Sequence, residues 1–426
     1  MQTVLSKLPQ VDRTAIRARY LRNRQRSADI FGLVDASAYY NRPILLRHPF
    51  AFYEGHLPAF SFLTLNERSL NEDPVDKNLE KLFERGIDPE SDIAAAAHAR
   101  DQWPHRAEIQ AFGSACDERV LDAFASAALE DASNPRLVQA QAVFNILEHE
   151  EMHHETLLYI LHQLPYGLKA YRGQSHSDVA APPYATRSID AGAATLGADP
   201  EAQQFGWDNE FRKVQVHVPA FGIDTFPVTN ANFLEFVNAG GAPPPFWIKR
   251  DGEWKLRAMF EELPLPASWP AYVTHAQGRE YARWKGMRLP TEAEYHRAAF
   301  ATPDGSERAF PWGEETPQPK HGNFDFQRYD PEPVNAHPAG ASAWGVHDLV
   351  GNGWEWTATP FGPLPGFEPM ASYPQYSADF FDNLHYVMKG ASPVTAREHV
   401  RRSFRNWYRA EYPFMYAKFR CVTDLS

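Results

Sequence analysis

The sequence predicts an α + (α+β) chain, with a helical first part and a loop-rich mixed second part. Three observations predict it. The chain has 426 residues, too many for one ordinary domain and fitting for two or three. Apolar residues recur with a helical period up to about residue 163. Beyond about residue 187, short apolar stretches (VQVHVPAFGID, FPVTNANFLEFV) alternate with Pro/Gly-rich segments such as GAPPPFW and ELPLPASWP. That texture belongs to irregular α+β structure.

The elements follow in order. Residues 12–26 form a first helix, and its basic run reads as a solvated face. Residues 49–70, PFAFYEGHLPAFSFLTLNERSL, read as a buried aromatic helix with an irregularity at Gly55 and Pro58 near its start. AAAAHAR within 92–100 is a high-propensity helix or its approach. Residues 109–128 and 135–164 are longer periodic helices. Four main helices with short to medium loops make a bundle over 1–163. Residues 164–186 are rich in Gly, Ser and Pro, lack periodicity and read as a linker. In 187–426 two helices stand out. One is Asn230–Asn238. The other begins at RLPTEAEYHRAAF, where Thr291 and Glu294 form a capping box.

Composition narrows the function. Net charge is −12, which gives no support to nucleic-acid binding. No apolar run approaches the length of a membrane span. The opening stretch lacks the apolar core of a secretion signal. The two cysteines, Cys116 and Cys421, cannot build a disulfide framework. A cytoplasmic protein is expected. The sequence carries no signal of oligomeric state.

The stretch EHEEMHHETLLY at 148–159 holds three histidines within six residues. His149 and His153 are i and i+4, so on a helix their imidazoles lie about 40° apart on one face. That spacing presents two nitrogen ligands to one metal. His154 lies about 100° from His153 and Glu155 about 200° away, so neither shares the face. A third ligand must come from elsewhere, and a facing helix can supply it. The upstream candidates are His48, His56, His98 and His105. His56 is the best of them, because a histidine inside an aromatic helix needs a buried polar partner. Three imidazoles suit Zn, Cu or non-heme Fe alike.

HEEMHHE fits the pattern HxxxHxE and resembles the iron-dependent ergothioneine synthase family. In that family a DinB-like helical bundle supplies three histidines to Fe(II). The resemblance implies His56, His149 and His153 as the ligands. The second half is similar to the formylglycine-generating-enzyme fold, a variant of the C-type lectin fold. Its marks are FPVTNANFLEFV, MRLPTEAEYHRAA, FPWGEE, WGVHDLVGNGWEWT and SFRNWYRAEYPFMYAKFRCV, in family order from 226 to 422. The formylglycine chemistry itself needs a reactive cysteine pair, and only Cys421 lies in this region. In GNGWEWT, Trp354 and Trp356 read as scaffold.

The resemblance also implies the substrates. Hercynine, the trimethylated betaine of histidine, is joined to a donor with O2 as oxidant. Asn406 and Trp407 match the residues that hold the betaine, and an aromatic face attracts a trimethylammonium group. Tyr408 and Tyr412 stand where γ-glutamylcysteine-using members carry Asp and Arg. Tyrosines suit a neutral, hydroxyl-rich donor. Met152 stands where Gln is usual. NRPILLRHPFAFYEGHLPAFSF and NLEKLFERGIDPE resemble the selenoneine synthase branch, whose donor is a selenosugar. A related reading is a sulfoxide synthase using a thiol such as cysteine or γ-glutamylcysteine, with Arg106 gripping the donor. A third, of another class, is a lectin-like binding protein without catalysis. In the sulfur enzymes a tyrosine near the iron donates a proton. Tyr373, Tyr376 and Tyr386 lie in the right region, and the sequence does not choose among them.

Overall fold

The Asp12 carboxylate accepts the N–H groups of Thr14 and Ala15 and so opens α1 (Arg13–Phe31). The computed structural model describes residues 10–84, 103–170 and 173–425. The helix expected within 92–100, with His98, lies outside the described residues. The chain divides into two units. One is Met1–Arg172 with Met370–Pro374, the other Gly173–Pro369 with Gln375–Ser426.

In the first unit α2 (Phe50–Phe62) buries every residue except Glu54. Gly55 and Pro58 sit inside it without breaking it. The irregularity falls later, as a π-helical turn at Leu63–Glu67 that leads into Arg68–Leu70. Four residues separate Pro58 from that turn, so the irregularity lies further along the chain than the sequence expectation puts it. Gly55 has a packing reason: a Cβ there would lie 2.5 Å from the ring of Phe83. Phe83 ends α3 (Lys77–Phe83). The remaining helices are α4 (Arg106–Ser126) and α5 (Gln141–Gln163). α1, α2, α4 and α5 pack against one another, with α5 touching both α1 and α2.

α5 starts later than the expected residue 135. Gln139 and Ala140 both have positive φ, 54° and 55°, and left-handed residues cannot continue a right-handed helix. The basic run on α1 is a solvated face only in part: Arg13, Arg17 and Arg22 are exposed, whereas Arg19, Arg24 and Arg26 are half-buried. Arg19 grips Glu151 at 2.8 and 2.6 Å, and Arg24 lies 2.8 Å from Glu150. Both glutamates are buried on α5. The arginines neutralise acid that the helical core would otherwise expel.

The second unit holds twelve strands among its described residues. They are β1 (Thr186–Ile189), β2 (Gly192–Leu196), β3 (Val214–Val218), β4 (Phe221–Asp224), β5 (Trp247–Arg250) and β6 (Glu253–Arg257). β7 (Glu262–Pro264), β8 (Gly353–Pro360), β9 (His385–Ala391), β10 (Asn406–Arg409), β11 (Ala417–Lys418) and β12 (Val422–Asp424) complete the set. They form sheets ordered β1-β4-β12, β10-β9-β8-β11, β2-β3 and β5-β6-β7. Both expected helices are present: α6 (Asn230–Asn238) and α8 (Glu292–Phe300), the latter capped by Thr291 and Glu294 as read. A third, α7 (His275–Trp284), lies between them. Its signal was a second capping box, Thr274 with Gln277, hidden behind a Pro-rich approach. Ile189, Phe221, Ile223, Tyr295, Leu349 and Val422 form a core that ties β1, β4 and β12 to α8.

Trp354 and Trp356 are buried on β8. Glu355 is buried as well, because Arg420 pairs with it at 2.5 and 2.9 Å. Cys421 is a free, buried thiol whose backbone N–H donates to Asp224.

Candidate metal centre

α5 and α2 bring together the three histidines that the sequence points to. One ligand nitrogen from each of His56, His149 and His153 lies within 4.8 Å of the others, so the group could hold a metal ion. The Nε2 atoms of His149 and His153 are 3.1 Å apart. The ring of His56 stands 5.1 Å from each of theirs.

Local structure sets each ring. His56 Nδ1 lies 2.6 Å from the Phe83 carbonyl. A carbonyl only accepts, so Nδ1 carries the proton and Nε2 keeps its lone pair. That Nε2 is buried with no protein hydrogen-bond partner. His149 is held flat against Phe60, with centroids 3.5 Å apart and planes at 9°. His153 packs against Tyr53 at 5.5 Å. Burial depresses all three basicities. It brings His56 down to about 4 and holds His149 and His153 well below the ordinary histidine value, with mutual repulsion adding to it. Neutral imidazoles are the form that ligates metal. A buried polar nitrogen without a partner costs about 1–3 kcal/mol, and a shared cation offsets that cost at all three rings at once.

The other described candidates are not part of this group. His154 faces α1, with Nε2 2.9 Å from Ser27 Oγ and 3.7 Å from Glu150. The helical arithmetic placed it off the ligand face, and it is. Burial pushes the Glu150 carboxyl up, but Arg24, His154 and Ser27 outweigh burial and hold it below its ordinary value. His48 stacks on Phe52 at 4.1 Å, and His105 occupies the N-cap position of α4.

The segment Met370–Pro374 belongs to this unit. It places the ring of Tyr373 5.3 Å from Phe60 and 6.4 Å from His149. Of the three tyrosines left open by the sequence, this one reaches the cluster. In the second unit Tyr376 stacks on Trp207, and Tyr386 stacks on His275. Arg106, named as a donor-binding candidate, is bound to Glu54 at 3.0 Å and lies over the Tyr39 ring.

The second unit carries the FRNWY motif on β10 and just before it. Trp407 lies face to face with Phe361, 4.2 Å apart at 5°, with Tyr376 edge-on at 5.2 Å and Phe380 at 5.6 Å. Asn406 Oδ1 accepts the Trp407 N–H at 2.9 Å. Tyr408 and Tyr412 stack at 5.1 Å. These three aromatic residues are partly or wholly buried. Sequence reasoning missed the scaffold beneath them. Arg405 is buried against Glu292 at 2.9 and 3.1 Å. Lys389 donates to the carbonyls of Arg402 and Phe404, and burial lowers its ammonium to about 7. A buried Arg inside a motif is a detectable signal, but its partner lies 113 residues away.

Residues 174–425 match the family described as the sulfatase-modifying factor enzyme 1-like domain. A hercynine oxygenase of Mycobacterium tuberculosis is 36% identical over 256 residues, covering 54% of this chain and 59% of that one. One of Mycolicibacterium smegmatis is 34% identical over 297 residues, covering 62% and 67%. Ergothioneine biosynthesis protein 1 of Neurospora crassa is 29% identical over 486 residues, covering 90% of this chain and 55% of that protein. Two of these three relatives are thus matched over less than two thirds of their own length. Among the described residues no helix is long and apolar enough to cross a membrane.

Proposed function

This chain belongs to the sulfatase-modifying factor enzyme 1-like family and to its ergothioneine-synthase group, and from that premise we propose that it is a non-heme iron enzyme that joins the imidazole of hercynine to a selenosugar, using O2. The observation that carries the reading is the trio of His56 and His149, both buried, and the half-buried His153, each held toward the neutral form, with His56 fixed by a backbone carbonyl.

In this reading the first unit is a DinB-like bundle whose three histidines hold Fe(II). Iron, when bound, supplies oxygen activation and open positions for substrates. Phe60 keeps the plane of His149, and the Phe83 carbonyl keeps the tautomer of His56. Tyr373 holds a phenolic proton beside the cluster. Trp407 and its aromatic neighbours receive the trimethylammonium group, which a π face attracts by about 0.5–2 kcal/mol. Asn406 orients the betaine. Tyr408 and Tyr412 meet the donor with two hydroxyls and a stacked ring pair, which fits a neutral sugar. The balance closes as imidazole C–H plus donor Se–H plus O2 giving a C–Se(=O) selenoxide and one water: forming the C–Se bond gives up two electrons, oxidising the selenium gives two more, and O2 takes all four.

A second reading has the names of the relatives in its favour: a sulfoxide synthase acting on hercynine and a thiol. It needs cationic groups for the donor's carboxylates. Arg106 is already bound to Glu54, which weighs against its serving as one. Anaerobic loading with Fe(II) and hercynine, then oxygen with competing donors, separates the two by product mass. Preferred turnover of γ-glutamylcysteine or cysteine would overturn the selenosugar assignment. Equal iron content in His149→Ala and the parent protein would overturn the three-histidine centre.

A further inference from the structure

Gln141, Asn145, His149 and His153 recur every fourth residue along α5. Each side chain is rotated only about 40° from the last, so the four form one stripe. The second pair belongs to the imidazole cluster. The first pair is occupied by a segment more than 220 residues further along the chain, Met370–Pro374, as the sequence separations of 225 and 227 record. Ser372 donates its backbone N–H at 3.2 Å and its hydroxyl at 3.1 Å to Gln141 Oε1. Asn145 Nδ2 donates to the same hydroxyl oxygen at 3.0 Å, with Met370 Sδ 3.4 Å away. Ser372 is thus gripped as donor and as acceptor at once.

Two further observations mark this contact as more than incidental packing. Asn145 is fully buried, and an amide in that position is retained at a cost unless its bonds are needed. The helix also begins at Gln141 only because Gln139 and Ala140 adopt left-handed geometry. That geometry is unfavourable for residues other than glycine, and such outliers concentrate at functional sites. The residue that follows Ser372 is Tyr373, whose ring meets Phe60 and His149.

We propose that Gln141, Asn145 and Ser372 form a clamp that seats Tyr373 beside the imidazole cluster, and that they are positioning residues for the reaction at that centre. The ligand helix then carries its own gauge. One end of the stripe holds the metal-binding rings, and the other fixes the phenol that reaches them. The consequence for turnover rests on the function proposed above, but the clamp itself does not.

The test uses the full chain with Gln141→Ala, Asn145→Ala, Ser372→Ala and Ser372→Thr. Amide exchange at Ser372 should quicken about tenfold in Gln141→Ala, the loss expected for one hydrogen bond. Iron content should equal the parent's in every variant. The kcat with hercynine should fall about tenfold or more in Asn145→Ala and Ser372→Ala, with KM for hercynine unchanged, and Ser372→Thr should restore it. Unchanged exchange overturns the clamp. Faster exchange with parental kcat overturns the positioning role, as does a loss of kcat that tracks lost iron. If the parent itself leaves hercynine untouched, the functional reading fails alone. The visible spectrum of the Co(II)-loaded protein then decides. A shift in Ser372→Ala that Ser372→Thr reverses sustains the positioning role at the centre, and a spectrum blind to both overturns that role, while the exchange rates decide the clamp.

Discussion

Gly55→Ala isolates what holds His56 in place. Inside a helix that change alone stabilises by about 0.5–1 kcal/mol, because Ala is the better helix former. Here the new Cβ would stand 2.5 Å from the Phe83 ring, against about 3.4 Å for ordinary contact, so the ring must retreat by about 1 Å. Phe83 is fully buried, and overpacking of that kind costs about 1–3 kcal/mol. The steric cost exceeds the helical gain, and the net expectation is a loss of about 1–2 kcal/mol. The same retreat carries the Phe83 carbonyl away from His56 Nδ1. The bond now measures 2.6 Å, and whatever part of the retreat reaches the backbone lengthens and weakens it. Losing such a brace behind a ligand weakens metal binding about 10- to 100-fold. Calorimetry of the metal-free protein reads the first effect, and anaerobic Fe(II) titration against a chelator reads the second. Gly55→Ala/Phe83→Leu makes room for the methyl group and should recover stability. A raised Tm together with parental iron affinity would refute the reasoning, since helix propensity would then be the whole effect.

Arg19→Ala leaves Glu151 buried without its bidentate partner, and urea unfolding should show a loss of about 3 kcal/mol; a shift within error would mean that the pair contributes nothing. Burial pushes the Asp224 carboxyl up to about 6, above the ordinary carboxylate value near 3.9. A raised carboxyl favours the fold fully below its unfolded pKa and loses that contribution as pH rises through the folded one, here between about 4 and 6. Asp224→Asn should therefore gain about 3 kcal/mol over the parent at pH 8 and much less at pH 4, and an equal gain at both would contradict the assignment. Tyr408→Asp with Tyr412→Arg should move donor preference toward γ-glutamylcysteine by about tenfold in kcat/KM, the worth of one charged contact; unchanged preference would remove these residues from donor selection.

Legibility in the sequence followed distance along the chain. His149 and His153 were readable because helical geometry is local and fixes which side chains share a face. His56 was readable because an imidazole among Phe52, Tyr53 and Phe60 needs a reason to be buried. The roles of Arg19 and Arg24 were not, since their partners lie on another helix and a basic run looks the same whether water or buried glutamate faces it. Gln139 and Ala140 gave no warning of positive φ, because neither residue type favours it. Tyr373 could not be separated from Tyr376 and Tyr386 without the contact between Ser372 and α5. Arg106 looked available until Glu54 accounted for it.

In the second unit β4 lies between β1 and β12, so the strand at 186–189 and the one at 422–424 complete the same sheet. During synthesis that sheet stays open until residues 422–424 have emerged, and non-local pairing of this kind is slow and exposed to aggregation. The helices that carry His56 and His149 emerge far earlier and can pack first. Tyr373 arrives only after them. The order of synthesis thus lets the imidazole cluster form before the phenol reaches it.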